Sequence, residues 1–171
     1  NGDMRIVTDY TELNKRKESE VYHFPEIHKS FAHLKDCVIF SQLDLDSGFN
    51  QIKIAEIDRH ETGFITEFGH YEYNRMPFGL KNAPKSFQRI MEQVLSGIDC
   101  VTIFVDDILI ASKTEEQHYH DVNKVLDRLK QAGAKVNFEK STFRKSQIKF
   151  LGCIIDKSGI KADVSRIAEL R

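Results

Sequence analysis

The stretch Val101-Thr102-Ile103-Phe104-Val105-Asp106-Asp107-Ile108-Leu109-Ile110-Ala111 decides how the rest of the chain is read. Its flanks are rich in β-branched and aromatic residues, which predicts two short strands joined as a hairpin with Asp106 and Asp107 at the turn. Asp-Asp lacks the glycine that a tight two-residue turn favours, and adjacent carboxylates repel when ionised. Two readings stand side by side. One is a solvated Asp-rich turn between buried strands. The other is a divalent-metal site, because clustered carboxylate oxygens suit hard Mg²⁺, which takes one or two protein carboxylates and fills its shell with waters and substrate phosphates. A two-metal site would want a third carboxylate from elsewhere in the chain.

Composition bounds the rest. At 171 residues, 40% hydrophobic and 30% charged, the chain suits one domain with its own core. No run approaches the roughly 20 apolar residues of a membrane helix, and the first residues are polar, so no membrane partner is expected and cytoplasm or nucleus is the expected compartment. Cys37, Cys100 and Cys153 are odd in number and widely spaced, which reads as reduced thiols rather than a disulfide framework. His118 and His120 flank Tyr119 without metal-ligand spacing, and the segment reads as a solvated helix start. The net charge of -1 argues against a uniformly basic nucleic-acid binder. One stretch departs from that average. Residues 134–161 carry Lys135, Lys140, Arg144, Lys145, Lys149, Lys157 and Lys161 against Glu139 and Asp156, which is either a solvated face or a phosphate-contacting edge. An opening Asn1 and an ending at Arg171 within a helix-like pattern are what a segment of a longer polypeptide would show.

Taken in order, residues 4–8 read as a strand and residues 9–14 as a turn into a short helix. A charged loop follows at 15–20, then a helix opening near Pro25 with Ile27, Phe31 and Leu34 on one face. Residues 37–45 read as a buried strand carrying a single carboxylate, Asp44, and a buried aspartate needs a partner. A hairpin is predicted from strands at 63–68 and 71–75 about Gly69-His70, and a Pro/Gly-punctuated loop from Met76 to Pro84. Asn82 is placed to cap the next helix, whose apolar positions Phe87, Ile90, Met91, Val94, Leu95 and Ile98 recur at helical spacing up to Gly97. After the Asp-Asp hairpin, Thr114 and Gln117 form a capping box for a helix with Tyr119, Val122, Val125, Leu126 and Leu129 on one face, ended by Gly133. A last hairpin is predicted between 148–155 and 159–161.

With the hairpin at 63–75 set aside as an insertion, the order is β-α-β-β-α-β, the split βαβ pattern of an α+β fold. That arrangement can bring Asp44, Asp106 and Asp107 to one sheet surface. Three carboxylates there can hold two Mg²⁺ ions about 3.5–4 Å apart, clamping the attacking and leaving oxygens of a phosphoryl transfer.

Five ordered blocks then resemble a family. They are Arg5-Ile6-Val7-Thr8-Asp9-Tyr10 with Leu13-Asn14, Leu43-Asp44-Leu45-Asp46-Ser47-Gly48-Phe49-Asn50-Gln51-Ile52, Arg75-Met76-Pro77-Phe78-Gly79-Leu80-Lys81-Asn82-Ala83-Pro84, Phe104-Val105-Asp106-Asp107 and Phe150-Leu151-Gly152. Over nearly the whole chain they resemble the reverse transcriptase of gypsy-type LTR retrotransposons, which shares its palm with the retroviral enzymes. The resemblance implies a right-hand polymerase palm with part of the fingers, and residues 1–171 as a fingers-palm segment without thumb or RNase H domain. It implies RNA-directed DNA polymerase activity: two-metal transfer from dNTPs to a primer 3′-OH on an RNA or DNA template. Two Mg²⁺ ions, or Mn²⁺, would be held by Asp44, Asp106 and Asp107 as the catalytic aspartates. Four residues would bind nucleotide: Arg5 at the triphosphate, Phe49 under the sugar, Phe78 in the loop beside nucleotide and template, and Lys140 near the leaving pyrophosphate. Retroviral enzymes usually carry glutamine where Phe78 stands, so this chain follows the retrotransposon form. The implied partners are primer-template, dNTPs, and the thumb, RNase H and other domains of a larger polyprotein, in cytoplasmic virus-like particles or the nucleus.

Plainer readings exist for single residues: Arg5 on a surface strand, Phe49 as a core aromatic, Lys140 within a solvated basic run. Competing functions are a domesticated or degenerate copy serving as a nucleic-acid-binding or structural module, against which the intact aspartates weigh, and a metal phosphoesterase. Hydrolysis gives no evident use to Phe49 or to the loop from Met76 to Pro84.

Overall fold

The structure is a computed structural model, and it describes residues 7–24 and 31–163. Its elements in order are α1 (Thr11–Arg16), β1 (Ile39–Leu45), β2 (Phe64–Thr66), β3 (Gly69–Tyr71), α2 (Ala83–Val94), β4 (Val101–Phe104), β5 (Asp107–Ser112), α3 (Glu115–Gln131), β6 (Val136–Lys145), β7 (Gln147–Phe150), β8 (Cys153–Asp156) and β9 (Gly159–Ala162). The central sheet runs β4-β5-β1-β6, antiparallel at each pairing, which is the strand order of the split βαβ pattern. Two smaller sheets, β2-β3 and β7-β8-β9, are set beside it.

The two faces of the central sheet bury different partners. Leu43 and Leu45 of β1 and Ile108 and Ile110 of β5 pack against Phe87, Met91 and Leu95 from the α2 region and Val125 and Leu129 of α3. On the other face Phe40, Leu109 and Ala111 pack against Phe31, Leu34, Ile148, Phe150 and Ile155. Alternation along a strand puts Gln42 and Asp44 on the same face as Phe40, and Asp107 on the same face as Leu109. The β7-β9 layer covers one part of that face, and Asp44 and Asp107 stand on another part of it.

Several expectations shift. The expected strand at 4–8 and the helix opening near Pro25 lie mostly outside the described residues; of that helix's expected face, Phe31 and Leu34 are buried, Leu34 within the 3-10 turn Ala32–Leu34. The β2-β3 turn falls at Glu67-Phe68, with Gly69 and His70 already in β3, because the Thr66 hydroxyl accepts the Phe68 N–H at 3.1 Å and closes the turn there. The predicted single strand at 148–155 breaks at Leu151-Gly152, both at positive φ (50° and 76°), into β7 and β8. Asn82 precedes α2 but does not cap it: its amide bridges to the Glu20 N–H and the Glu18 carbonyl. Thr114 does cap α3, accepting from Gln117 N at 3.2 Å.

Tyr119 is exposed, and His118 takes the buried place instead, 2% accessible, with Nε2 2.7 Å from Ser41 Oγ and Nδ1 2.9 Å from Ser112 Oγ. The solvated helix start read at this point therefore holds for His120 alone. The signal was present, since positions 118, 122, 125 and 129 share one helical face.

Candidate active site

β4 and β5 form the hairpin the sequence predicted, but its two-residue turn is Val105-Asp106, and Asp107 is the first residue of β5, paired with Phe104. Val105 carries the positive φ, +55°. For a β-branched residue this left-handed conformation is strained by about 1–3 kcal/mol and persists only where the surroundings enforce it. Gln88 of α2 enforces it. Fully buried, it accepts the Val105 N–H on Oε1 at 2.6 Å and donates from Nε2 to the Ile103 carbonyl at 3.0 Å and to Glu92 Oε1 at 2.8 Å. A flipped amide would set oxygen against oxygen twice, so only one orientation satisfies all three partners.

The register of β1 with β5 sets Asp44 directly opposite Asp107. Asp106 projects from the adjacent turn and is exposed, while the other two are half-buried. Burial raises the pKa of Asp44 above the usual carboxylate range; the Lys140 ammonium pulls it back, and the Asp106 and Asp46 charges push it up. Burial likewise raises Asp107, opposed by the hydrogen bond from Gln42 Nε2 to Oδ1 at 2.9 Å and reinforced by Asp106 and Asp44. The three carboxylates thus stand within reach of one another's fields.

Lys140 is brought near enough to act on the Asp44 charge by an irregular strand. Between the pairs Gln42↔Thr142 and Asp44↔Asn137, β6 has more residues than β1, and the excess loops out as a bulge containing Lys140. Asn137 Oδ1 ties the bulge by accepting from the N–H groups of Glu139 and Lys140, each at 3.1 Å, and Ser141 Oγ accepts the Asp44 N–H at 3.1 Å.

On the other side of Asp106 lies the 3-10 turn Gly48–Gln51. A Cβ on Gly48 would stand 3.1 Å from Phe87 Cζ and 3.2 Å from Asp106 Cβ, so glycine lets this turn close on the carboxylate. Phe49 follows and meets two rings edge-on: Phe78 at 5.4 Å between centroids and Phe87 at 5.3 Å. The Phe78 loop is held from α1, where Asn14 donates to the Gly79 carbonyl and accepts the Lys81 N–H, both at 2.8 Å. Asp44, Asp106, Asp107, Phe49, Phe78 and Lys140 are thus gathered in one region, and Arg5 lies outside the described residues. Gln88, Gly48 and Gln42 were not singled out from sequence, although Gln42 stands two residues before Asp44 on the same face of β1.

The donors available to a cation are hard carboxylate oxygens without thiolate or imidazole, which suits Mg²⁺ or Mn²⁺ and not zinc. Among the described residues no three His, Cys, Asp or Glu side chains converge into a ready-made metal cage. Mutual repulsion keeps the three aspartates from closing on one another, and an ion that draws most ligands from water and phosphate does not need them to.

This geometry has counterparts. A family model described as reverse transcriptase (RNA-dependent DNA polymerase) matches residues 1–155. The Pol polyprotein from transposon opus of Drosophila melanogaster is 40% identical over 166 residues, 95% of this chain and 16% of that protein. That from transposon gypsy of the same fly is 37% identical over 174 residues, covering 100% of this chain and 17% of that protein. The chain therefore spans about a sixth of the curated relatives it matches. Among solved structures, the foamy viral protease-reverse transcriptase in complex with double-stranded DNA superposes with a TM-score of 0.90 at 26% identity, over 99% of this chain and 30% of that one. The same viral protein with an RNA/DNA hybrid gives 0.86 at 26% identity, over 97% and 23%. The fold is thus the reverse-transcriptase palm with part of the fingers, and the chain belongs to the reverse transcriptase (RNA-dependent DNA polymerase) family.

Proposed function

We propose that this site performs RNA-directed DNA polymerisation, adding deoxynucleotides from dNTPs to a primer 3′-OH on an RNA or DNA template. The observation that carries the reading is the cross-strand pairing of Asp44 with Asp107, with Asp106 on the adjoining turn and Phe49 beside it across Gly48. Two Mg²⁺ ions held by the three aspartates would supply the chemistry of activating the primer hydroxyl and neutralising charge on the transferred phosphate.

The chain's own residues do the rest. Asp106 and Asp107 present negative charge on a hairpin fixed by Gln88, and Gln42 orients one Asp107 oxygen. Lys140, carried toward Asp44 by the bulge, is suited to meet a departing pyrophosphate. Phe49, braced by Phe78 and Phe87, forms a flat wall where a nucleotide sugar would lie. The duplex-bound foamy viral relatives support a primer-template as partner, and the longer curated relatives support a working protein that adds further domains to this segment.

The test is extension of an oligo-dT primer on poly-rA with dTTP, with release of inorganic phosphate followed in parallel. Primer extension supports the reading; phosphate release without extension would favour a phosphoesterase.

A further inference from the structure

The Val105-Asp106 turn is not held by Gln88 alone. Glu92, one turn further along α2, gives Oε1 to Gln88 and Oε2 to the hydroxyl of Tyr22. Tyr22 belongs to an irregular strap, residues 18–24, laid along α2. Asn82 grips both the Glu18 carbonyl and the Glu20 N–H, Lys85 donates to the Glu20 carbonyl at 2.7 Å, and Ser86 and Arg89 donate to the Glu20 carboxylate at 2.8 and 3.0 Å. Further along the strap, the Phe24 ring lies 5.9 Å from that of Phe104, the residue just before Val105. It therefore reaches the aspartate turn twice, through hydrogen bonds behind it and through an aromatic contact beside it.

We propose that Tyr22 and Glu92 are positioning residues for the polymerase site, fixing Asp106 through the chain Tyr22–Glu92–Gln88–Val105. The inference rests on the polymerase reading for its catalytic consequence, but its geometric half stands without it. Val105 sits in a conformation it would leave if its N–H were released. Among the described residues Gln88 Oε1 is the group that accepts that N–H. Both Gln88 amide hydrogens are committed, to the Ile103 carbonyl and to Glu92, and Glu92 is oriented by Tyr22. Burial, then the bond to Glu92, pushes the Tyr22 hydroxyl up to about 12, so it stays a donor at any working pH.

The experiment measures amide hydrogen exchange at Val105, with Val125 in α3 as the reference. Gln88→Leu would orphan several buried groups and can fail to fold, so the deciding variants are Tyr22→Phe, Glu92→Ala and Glu92→Gln. Tyr22→Phe should speed exchange at Val105 by roughly tenfold, as loss of one hydrogen bond to a charged group implies, with Val125 unchanged. Glu92→Ala should do at least as much. Glu92→Gln should stay close to wild type, because its amide still accepts from Gln88 and meets the Tyr22 hydroxyl. An unchanged Val105 in Tyr22→Phe, equal acceleration at Val105 and Val125, or Glu92→Gln as fast as Glu92→Ala would each overturn the proposal.

In primer extension, Tyr22→Phe should lower kcat severalfold and raise the Mg²⁺ concentration needed for half-maximal rate, leaving KM for dTTP unchanged. A normal kcat and Mg²⁺ requirement alongside fast Val105 exchange would overturn the catalytic half. If wild type, joined to the further domains of its longer polypeptide, fails to extend a primer, the polymerase reading fails, while exchange at Val105 still decides whether the chain of bonds exists.

Discussion

Gly48 and Asp106 touch across the site: a methyl group on Gly48 would come within 3.2 Å of Asp106 Cβ, and within 3.1 Å of the Phe87 ring. The contact joins the segment that carries Phe49 to the turn that carries the most exposed of the three carboxylates. Both neighbours are themselves held, Phe87 by the core and the turn by Gln88. Gly48→Ala should therefore cost about 1–2 kcal/mol by denaturant unfolding, as a modest overpacking does. It should reduce primer extension by more than that stability loss explains, since it moves Asp106. A variant that folds less stably but extends primers at the wild-type rate would show that the contact is packing only.

Asp106→Asn is expected to abolish extension while leaving the fold intact. Asp106 is exposed and sits in a turn held through backbone groups of its neighbours, so an amide of the same shape should be tolerated. What it loses is the charge offered to a cation, and electrostatic stabilisation of this kind is commonly worth about 10² or more in rate. Circular dichroism and melting should match wild type; retained extension in a well-folded variant would reject the metal role.

Asp107→Asn should stabilise the metal-free protein at neutral pH. Burial and two neighbouring carboxylates raise the folded-state pKa of Asp107, so folding favours its protonated form. The penalty is absent below the unfolded carboxylate pKa of about 3.9, grows as pH rises from there through the raised folded value, and is complete above it. Asparagine removes the charge and can still accept from Gln42. Its Tm at pH 7 without divalent metal should exceed wild type by on the order of 2 °C, a gap that shrinks toward pH 4 and that Mg²⁺ narrows by stabilising wild type more than the variant. A lower Tm at pH 7, or a gap independent of pH, would contradict the sign.

How far the sequence carried the reading depended on the range of the interaction involved. The strand with Asp44, the helix with Phe87 and Met91, and the Thr114 cap were legible, because each is written in local periodicity or in a side chain bonding three residues away. Asp44 facing Asp107 was legible at the level of a shared sheet surface, and strand alternation does the rest. The turn was misplaced by one residue because the positive φ at Val105 is imposed by Gln88, 17 positions back. Asn82 looked like a cap but binds the Glu18 to Glu20 backbone, more than 60 residues distant. His118 looked solvated since its two serine partners lie on separate strands. Long-range hydrogen bonds to single polar side chains leave no pattern in neighbouring sequence.

Sugar choice is expected to depend on the Phe49 ring. Its ring is wedged edge-on between Phe78 and Phe87, so it cannot swing aside without breaking two aromatic contacts, each worth about 0.5–1.5 kcal/mol beyond area burial. Gly48 ties the same segment to Asp106, which fixes the wall relative to the carboxylates. A rigid ring beside a bound nucleotide rejects an added 2′-hydroxyl by steric overlap rather than by weaker attraction, and such exclusion fails once the wall is trimmed. Phe49→Val should therefore admit rNTPs while largely keeping dNTP use, at a stability cost of about 1–3 kcal/mol for the lost ring contacts. The measurement is the ratio of rATP to dATP incorporation on one template, in wild type and variant, with unfolding curves for both. A raised ratio supports the wall; an unchanged ratio leaves Phe49 as a core aromatic, and equal loss of both substrates indicates damaged packing around Phe87.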